Sequence, residues 1–229
     1  MWRHLLPNLL TLGNLALGSW AIALSYEREW VLFSGAMGGA LLCDWLDGWV
    51  ARALRSESPL GKELDALADL VSFGIAPAFA LYNYLRPFLP ALPYSREARF
   101  WMVITPFILP LLAAWRLARF NTESSETSLR FFQGLPTPAH AAAWTLWILS
   151  EPPLPWLHPA LWIGLILLVG GLMVSSLPFL SLKTPQNIPW LFGLLLLIGT
   201  SAVWVPASPL ILLGLCAYTG ISYLASRLG

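Results

Sequence analysis

The chain of 229 residues has few charged side chains, few cysteines and almost no net charge. Charged residues make up 11% of it, against about 25% in a typical soluble chain, whereas hydrophobic residues make up 57%. Cys43 and Cys216, its only two cysteines, lie in apolar stretches and exclude a disulfide scaffold or a cysteine-rich metal site. A net charge of +1 excludes a polybasic nucleic-acid-binding protein. This composition, with 13 tryptophans, is typical of a polytopic membrane protein.

Long apolar segments separated by proline-rich breaks predict the fold class. Since each span needs about 20 apolar residues, we expect an all-α polytopic membrane protein with about eight transmembrane helices. No repeat, low-complexity tract or long linker interrupts the chain, so residues 1–229 are expected to form one integral-membrane domain. The first segment is expected to be an uncleaved helix rather than a signal peptide. The predicted spans are residues 5–25, 30–55, 60–85, 99–120, 137–150, 157–177, 188–204 and 208–226.

The distribution of lysine and arginine between the predicted loops indicates the orientation. With the N-terminus inside, nine of these residues lie on the inner side and four on the outer side. Cytoplasmic loops carry an excess of positive residues. Both termini are therefore predicted to be cytoplasmic, in the cell (inner) membrane.

All the aspartates of the chain lie within 26 positions, on the second and third predicted helices: Asp44, Asp47, Asp65 and Asp69. Ionisable residues in membrane spans are costly and mark functional sites. The residues of each pair are three or four positions apart, so each pair shares one helix face. One or two divalent cations would relieve the repulsion among four carboxylates, and all-oxygen ligation favours Mg²⁺ or Mn²⁺.

The turn between these two helices sets the predicted depth of the site. Ser58 is expected to be the N-cap of the third helix, with Pro59 at its first position. At about 1.5 Å per residue, one aspartate of each helix would lie roughly 9–14 Å from the turn and the other about 15–18 Å. We therefore expect the four carboxylates in two layers, with the active site between helices 2 and 3 at the cytoplasmic side.

The helix face that follows Asp47 carries almost no side chain. Gly48 and Ala51 would allow a flat or extended ligand to approach closely. Arg52 lies one turn after Gly48 and is a natural partner for phosphate. The alternative, that the aspartates pair with neighbouring cationic side chains, does not explain four inward carboxylates at matched depth. Metal ligands, a bare face and an arginine together predict a nucleotide-diphosphate site.

Eight of these residues stand in the pattern Asp44-x₂-Asp47-Gly48-x₂-Ala51-Arg52-x₈-Gly61-x₃-Asp65-x₃-Asp69. In this the chain resembles, without one departure, the CDP-alcohol phosphotransferase family. The resemblance implies an integral membrane enzyme, typically a homodimer with a divalent-metal site, that transfers a phosphatidyl-type group from a CDP-linked lipid to an alcohol and releases CMP.

Four further stretches narrow the resemblance to one branch of this family. They are similar to the membrane-embedded phosphatidylserine synthase branch, which implies CDP-diacylglycerol and L-serine as substrates, with the acyl chains remaining among the membrane lipids. These stretches are LPNLLTLGN (6–14), LVSFGIAPA (70–78), RLARFN (116–121) and FFQGLPTPA (131–139).

The resemblance also implies roles for individual residues. Asp44 and Asp65 would bridge two metal ions, Asp47 would complete one site, and Asp69 would complete the other. Asp69 would also be the general base. The residues implied to contact the CDP-lipid or its nucleotide are Asn8, Thr11, Gly48, Ala51, Arg52, Ser58 and Gly61.

Two readings stay open for the pair Arg116 and Arg119. In the first, they are only the positively charged residues that commonly flank a membrane span on its cytoplasmic side. In the second, they bind the serine carboxylate or the lipid phosphate, to which arginine offers two parallel hydrogen bonds. In the second reading Asn121 could add a hydrogen bond to the amino acid.

Two alternatives to the serine-specific enzyme remain. One is a related phosphotransferase that uses another alcohol, such as glycerol phosphate, inositol phosphate or choline. The other is a cation-coupled transporter, since buried aspartate clusters also serve there. Transporter sites lie near the bilayer midplane between internal repeats, whereas this chain shows no repeat and its aspartates are predicted nearer the inner surface.

Overall fold

The structure is a computed structural model that describes residues 2–123, 131–150 and 158–180. The described part is helical apart from one pair of three-residue strands. Its helices are α1 (Trp2–Glu27), α2 (Trp30–Ala53), α3 (Pro59–Asp69), α4 (Ala76–Leu85), α5 (Arg96–Ile104), α6 (Ile108–Glu123), α7 (Thr137–Leu149) and α8 (Pro159–Val174). Its strands are β1 (Phe131–Gln133) and β2 (Pro178–Leu180).

Helices occupy each of the first six predicted spans, and the last two spans (188–204 and 208–226) lie outside the described residues. Within the part of the chain that the structure describes, three helical stretches are long and apolar enough to cross a membrane: Leu5–Glu27, Pro59–Ala91 and Arg96–Thr122. At 24 residues α2 is also long, but it carries two aspartates and an arginine. The described residues are therefore those of a helical membrane protein, and the number of eight spans stays a prediction.

The third predicted span is one continuous helical stretch whose middle is wider than an α-helix. As predicted, it begins at the N-cap Ser58, whose Oγ accepts a hydrogen bond from the backbone N–H of Gly61 at 3.0 Å. A π-helical segment, Leu70–Ile75, separates α3 from α4. Pro77 has no N–H to donate to the carbonyl four residues earlier, which weakens the regular ladder at this turn. The segment begins directly after Asp69, so the helix changes register next to the site.

The two strands pair antiparallel, with Phe131 opposite Leu180 and Gln133 opposite Pro178. The sequence pattern, which predicts an all-α protein, does not predict these strands. Their partners are about fifty positions apart in the chain, and a pairing at that separation is decided by which helices lie side by side rather than by local pattern. The ladder is a small addition to a helical architecture and brings the residues before α7 beside the end of α8.

The first helix has the central position in the packing around the aspartates. It packs along α2 and also contacts α3, the π segment and α4. The helices α6, α7 and α8 complete the other side, where Trp144, Trp147 and Trp162 lie with ring centroids 5.3–5.9 Å apart. Because α1 touches both aspartate-bearing helices, its polar side chains lie where they can reach the carboxylates.

Candidate metal and substrate site

Three of the four aspartates come together. Asp44 and Asp47 on α2 and Asp65 on α3 each offer a carboxylate oxygen, and these atoms lie within 4.8 Å of one another. Asp47 is buried, with 5% of its surface exposed, and the other two are half-buried. Hard oxygen donors in a group of this size fit a divalent cation such as Mg²⁺ or Mn²⁺. The residues present therefore suit the metal site that the sequence predicted.

The fourth aspartate lies outside that group. Asp69 is 7% exposed, and its Oδ1 accepts a hydrogen bond of 3.3 Å from the side-chain amide of Asn14 on α1. The grouping differs from the two matched layers expected from the helix rise, because Asp65 lies beside both aspartates of α2. Both helices pack against α1, and this packing, which the helix rise alone does not contain, brings the three carboxylates together.

A polar stripe on α1 faces the carboxylates. Its residues Asn8, Thr11 and Asn14 follow one another at intervals of three, so they lie close to one helix face. The hydroxyl of Thr11 donates to Asp47 Oδ2 at 2.6 Å. The family resemblance implies that Asn8 and Thr11 lie near the nucleotide, and it gives no role to Asn14. The signal that could have found it is a third amide or hydroxyl at the same spacing within an apolar span.

Small residues let the helices and side chains of the site approach closely. A Cβ on Gly61 would lie 3.1 Å from Ser58 Oγ and 3.2 Å from Asn8 Oδ1, so the start of α3 meets α1 there. A Cβ on Gly48 would lie 3.2 Å from Arg52 Nη1. The guanidinium of Arg52 thus folds back over the bare face predicted at Gly48.

The chain carries side chains of opposite charge at the end of α2. Arg52, Arg55 and Glu57 line an open cavity where α2 ends and the chain turns toward α3. Arg52 is exposed and Ala51 beside it is half-buried. An exposed guanidinium one helical turn after Gly48 is suited to binding a phosphorylated ligand.

The predicted acceptor residues lie on α6. Arg116 is buried, and its Nη1 donates to Thr137 Oγ1 at 3.5 Å. Arg119 donates to the carbonyl of Val174 at 2.8 Å and thereby caps the C-terminal end of α8. The backbone carbonyl of Asn121 accepts from Lys62 Nζ at 2.9 Å. Arg119 and Asn121 thus have structural contacts, and a role in binding substrate stays a prediction for all three residues.

Comparison with known proteins gives one family and several named relatives. The family described as CDP-alcohol phosphatidyltransferase matches residues 4–175. The chain is 32% identical over 198 residues to the CDP-diacylglycerol–serine O-phosphatidyltransferase of Helicobacter pylori strain J99, an alignment that covers 85% of this chain and 78% of that protein. It is 36% identical over 142 residues to the protein of the same name from Bacillus subtilis, covering 58% and 69%. The family match includes every residue discussed above for the site.

Proposed function

The chain belongs to the CDP-alcohol phosphatidyltransferase family, and on that basis we propose that it transfers the phosphatidyl group of CDP-diacylglycerol to L-serine, giving phosphatidylserine and CMP. The observation that carries the proposal is the group of three carboxylates within 4.8 Å, built from the aspartates of the family pattern. Relatives that bear the name of this activity, from bacteria as distant as Helicobacter and Bacillus, support the choice of serine.

The carboxylate group would hold divalent metal. Asp44, Asp47 and Asp65 would be the ligands of a first Mg²⁺ or Mn²⁺, and Asp69 would contribute to a second. When bound, such ions neutralise the negative charge of the diphosphate and make CMP a better leaving group, which supplies several kcal/mol of transition-state stabilisation. Asp44→Ala or Asp65→Ala is expected to abolish CMP release, because both residues would ligate both ions.

The residues around the carboxylates would bind the CDP-lipid. Arg52, folded over Gly48, would contact the diphosphate, with Ala51, Ser58 and Gly61 forming the surface along which the ligand lies. Asn8 and Thr11 would face the nucleotide from α1. The hydroxyl of Thr11 also holds Asp47 through its 2.6 Å bond, so one side chain orients a ligand and borders the substrate.

Asp69 would serve as the general base. It takes the proton of the serine hydroxyl; the serine oxygen then attacks the phosphorus that bears diacylglycerol, and the bond from phosphorus to the CMP oxygen breaks. Removal of a general base costs about 10²–10⁴ in rate. Asp69→Asn is thus expected to lower kcat with little change in the affinity for CDP-diacylglycerol. Loss of lipid binding with residual turnover at saturation would make Asp69 chiefly a metal ligand.

The contact between α6 and α7 supports serine as the acceptor. The stretches RLARFN and FFQGLPTPA, which resemble the serine-specific branch, meet where Arg116 donates to Thr137. A buried guanidinium at this place would bind the serine carboxylate or the lipid phosphate. Arg119 and Asn121 would assist from the same helix.

The surface suits a protein surrounded by lipid. Large apolar side chains on several helices are exposed, among them Leu9, Trp20, Val31 and Leu111. We place the chain in the cell (inner) membrane as a single domain, with both termini and the active site on the cytoplasmic side, and as a homodimer. The cytidine would then enter from the cytoplasm while the acyl chains stay in the bilayer.

The test is an assay of purified protein with CDP-diacylglycerol, Mg²⁺ or Mn²⁺ and a panel of alcohols, with CMP measured and the lipid product identified by mass. Serine is expected to give phosphatidylserine. Robust product from glycerol 3-phosphate, inositol phosphate or choline, with none from serine, would assign the chain to another branch of the family. Cation-coupled transport in vesicles without CMP release would favour the transporter alternative.

A further inference from the structure

Asn14 is a buried polar residue that ends the stretch LPNLLTLGN and lies outside the eight-residue aspartate pattern. It lies in the middle of α1 with no exposed surface, and its side-chain Nδ2 donates to Asp69 Oδ1 at 3.3 Å. We propose that Asn14 is a positioning residue that fixes the orientation of the Asp69 carboxylate for proton transfer. The proposal rests on the proposed function, in which Asp69 is the base.

The backbone of Asn14 is held in place by the same helical stretch that carries Asp69. The hydroxyl of Ser72, in the π segment, donates to the backbone carbonyl of Asn14 at 3.0 Å. Gly18, one turn later on α1, leaves the room for this approach, since a Cβ there would lie 2.6 Å from Ser72 Cα. Two bonds thus join one residue of α1 to both ends of a single turn, at Asp69 and at Ser72. The amide is consequently presented to the carboxylate from a fixed backbone.

A side-chain amide is chemically suited to be the hydrogen-bond donor to Asp69. An amide N–H donates to one oxygen of Asp69 and so fixes the plane of the carboxylate. Being neutral, Asn14 orients the carboxylate without the strong charge pairing by which a lysine or arginine would make it a weaker base. Removal of a side chain that orients a functional carboxylate through a hydrogen bond commonly lowers activity by about 10–100-fold.

Packing alone does not account for the residue. The side-chain oxygen of Asn14 is buried and has no hydrogen-bond partner among the described residues. A buried acceptor without a partner lowers stability, and leucine would fill the same position in an apolar helix without that cost. The side chain therefore has the properties of a group retained for its amide N–H.

Asn83 provides a matched control. It is also a buried asparagine, and its amide donates to Ser25 Oγ on α1 at 3.0 Å, so it joins α4 to α1 as Asn14 joins α3 to α1. The variants to compare are Asn14→Leu, Asn14→Ala and Asn83→Ala, each measured for melting temperature, KM for CDP-diacylglycerol and kcat. If Asn14 only joins helices, its variants and the Asn83 variant should behave alike. If it orients Asp69, the Asn14 variants alone should lose kcat, by about 10–100-fold, with KM for the CDP-lipid nearly unchanged.

A double-mutant cycle identifies the residue through which Asn14 acts. In an Asp69→Asn background, Asn14→Leu is expected to cause no further loss of kcat, because the group that it orients is already gone. Losses that multiply would overturn the proposal, as would normal kcat in both Asn14 variants. Asn14→Leu preserves bulk in an apolar helix, so it keeps the test decisive where the alanine variant does not fold. Absence of CMP release from the unaltered protein would refute the proposed function instead, which separates the two failures.

Discussion

Replacement of Asp44 by asparagine is expected to stabilise the protein in the absence of metal and to abolish its metal-dependent activity. The three grouped carboxylates lie within 4.8 Å of one another. At that separation two unit charges repel by about 3.5 kcal/mol for an effective dielectric constant near 20. Asp44 takes part in two of the three pairs, so its neutralisation relieves about 7 kcal/mol before solvent screening and compensating contacts are counted.

The measurable gain in the free energy of unfolding is smaller than this unscreened figure. Asp44 is half-buried, so solvent screens part of the repulsion, and the hydroxyl of Thr11 already offsets charge on Asp47. A relief of at least about 1 kcal/mol remains a conservative expectation, which corresponds to a rise of about 2–4 °C in melting temperature for a chain of this size. Asparagine keeps the shape of aspartate, so packing should contribute little to the difference.

The assay is thermal unfolding of the purified protein in detergent, first with EDTA and then with Mn²⁺. The unaltered protein should gain stability from Mn²⁺, whereas Asp44→Asn should gain much less and release no CMP. Glu63→Gln is the control, since Glu63 is exposed on α3 and its neutralisation should change stability by less than about 0.5 kcal/mol. A lower melting temperature for Asp44→Asn in EDTA, or an equal gain from Mn²⁺ in both proteins, would refute the metal site derived from these carboxylates.

Three further substitutions test the close contacts of the site. Gly18→Ala would force α1 away from the π segment, so it should cost about 1–3 kcal/mol by overpacking and lower activity. Gly38→Ala, with open space at its Cβ in the interior of α2, should leave activity unchanged and should not lower the melting temperature. Ser58→Ala removes an N-cap and should destabilise the protein by about 1 kcal/mol in thermal unfolding, and an unchanged melting temperature would contradict the cap. Gly48→Ala would displace the guanidinium of Arg52, 3.2 Å from the new Cβ, so KM for CDP-diacylglycerol should rise; an unchanged KM would place the diphosphate elsewhere.

Local features of the site were predictable from the sequence because they depend on neighbours in the chain. The helix period places Asp44 with Asp47 on one face, and a serine before a proline starts α3 where the pattern predicts it. The charge density of four aspartates in 26 positions of an apolar chain indicates a hard metal without any tertiary information. The family pattern adds the substrate class, because its eight residues lie within one such local stretch.

Contacts between residues far apart in the chain were decided by the tertiary structure alone. Helix rise predicts depth along a helix axis, but it does not contain the packing of α2 and α3 on α1 that puts Asp65 beside both aspartates of α2 and leaves Asp69 with Asn14. The same holds for Arg116 meeting Thr137, and for two strands that pair across the intervening helices. The contact of Asn14 with Asp69 depends on close approach of α1 to the π segment, which Gly18 allows beside Ser72. The sequence by itself thus determined which chemical groups are present and on which helix faces, and only the packing of α1 against two other helices decided which of them touch.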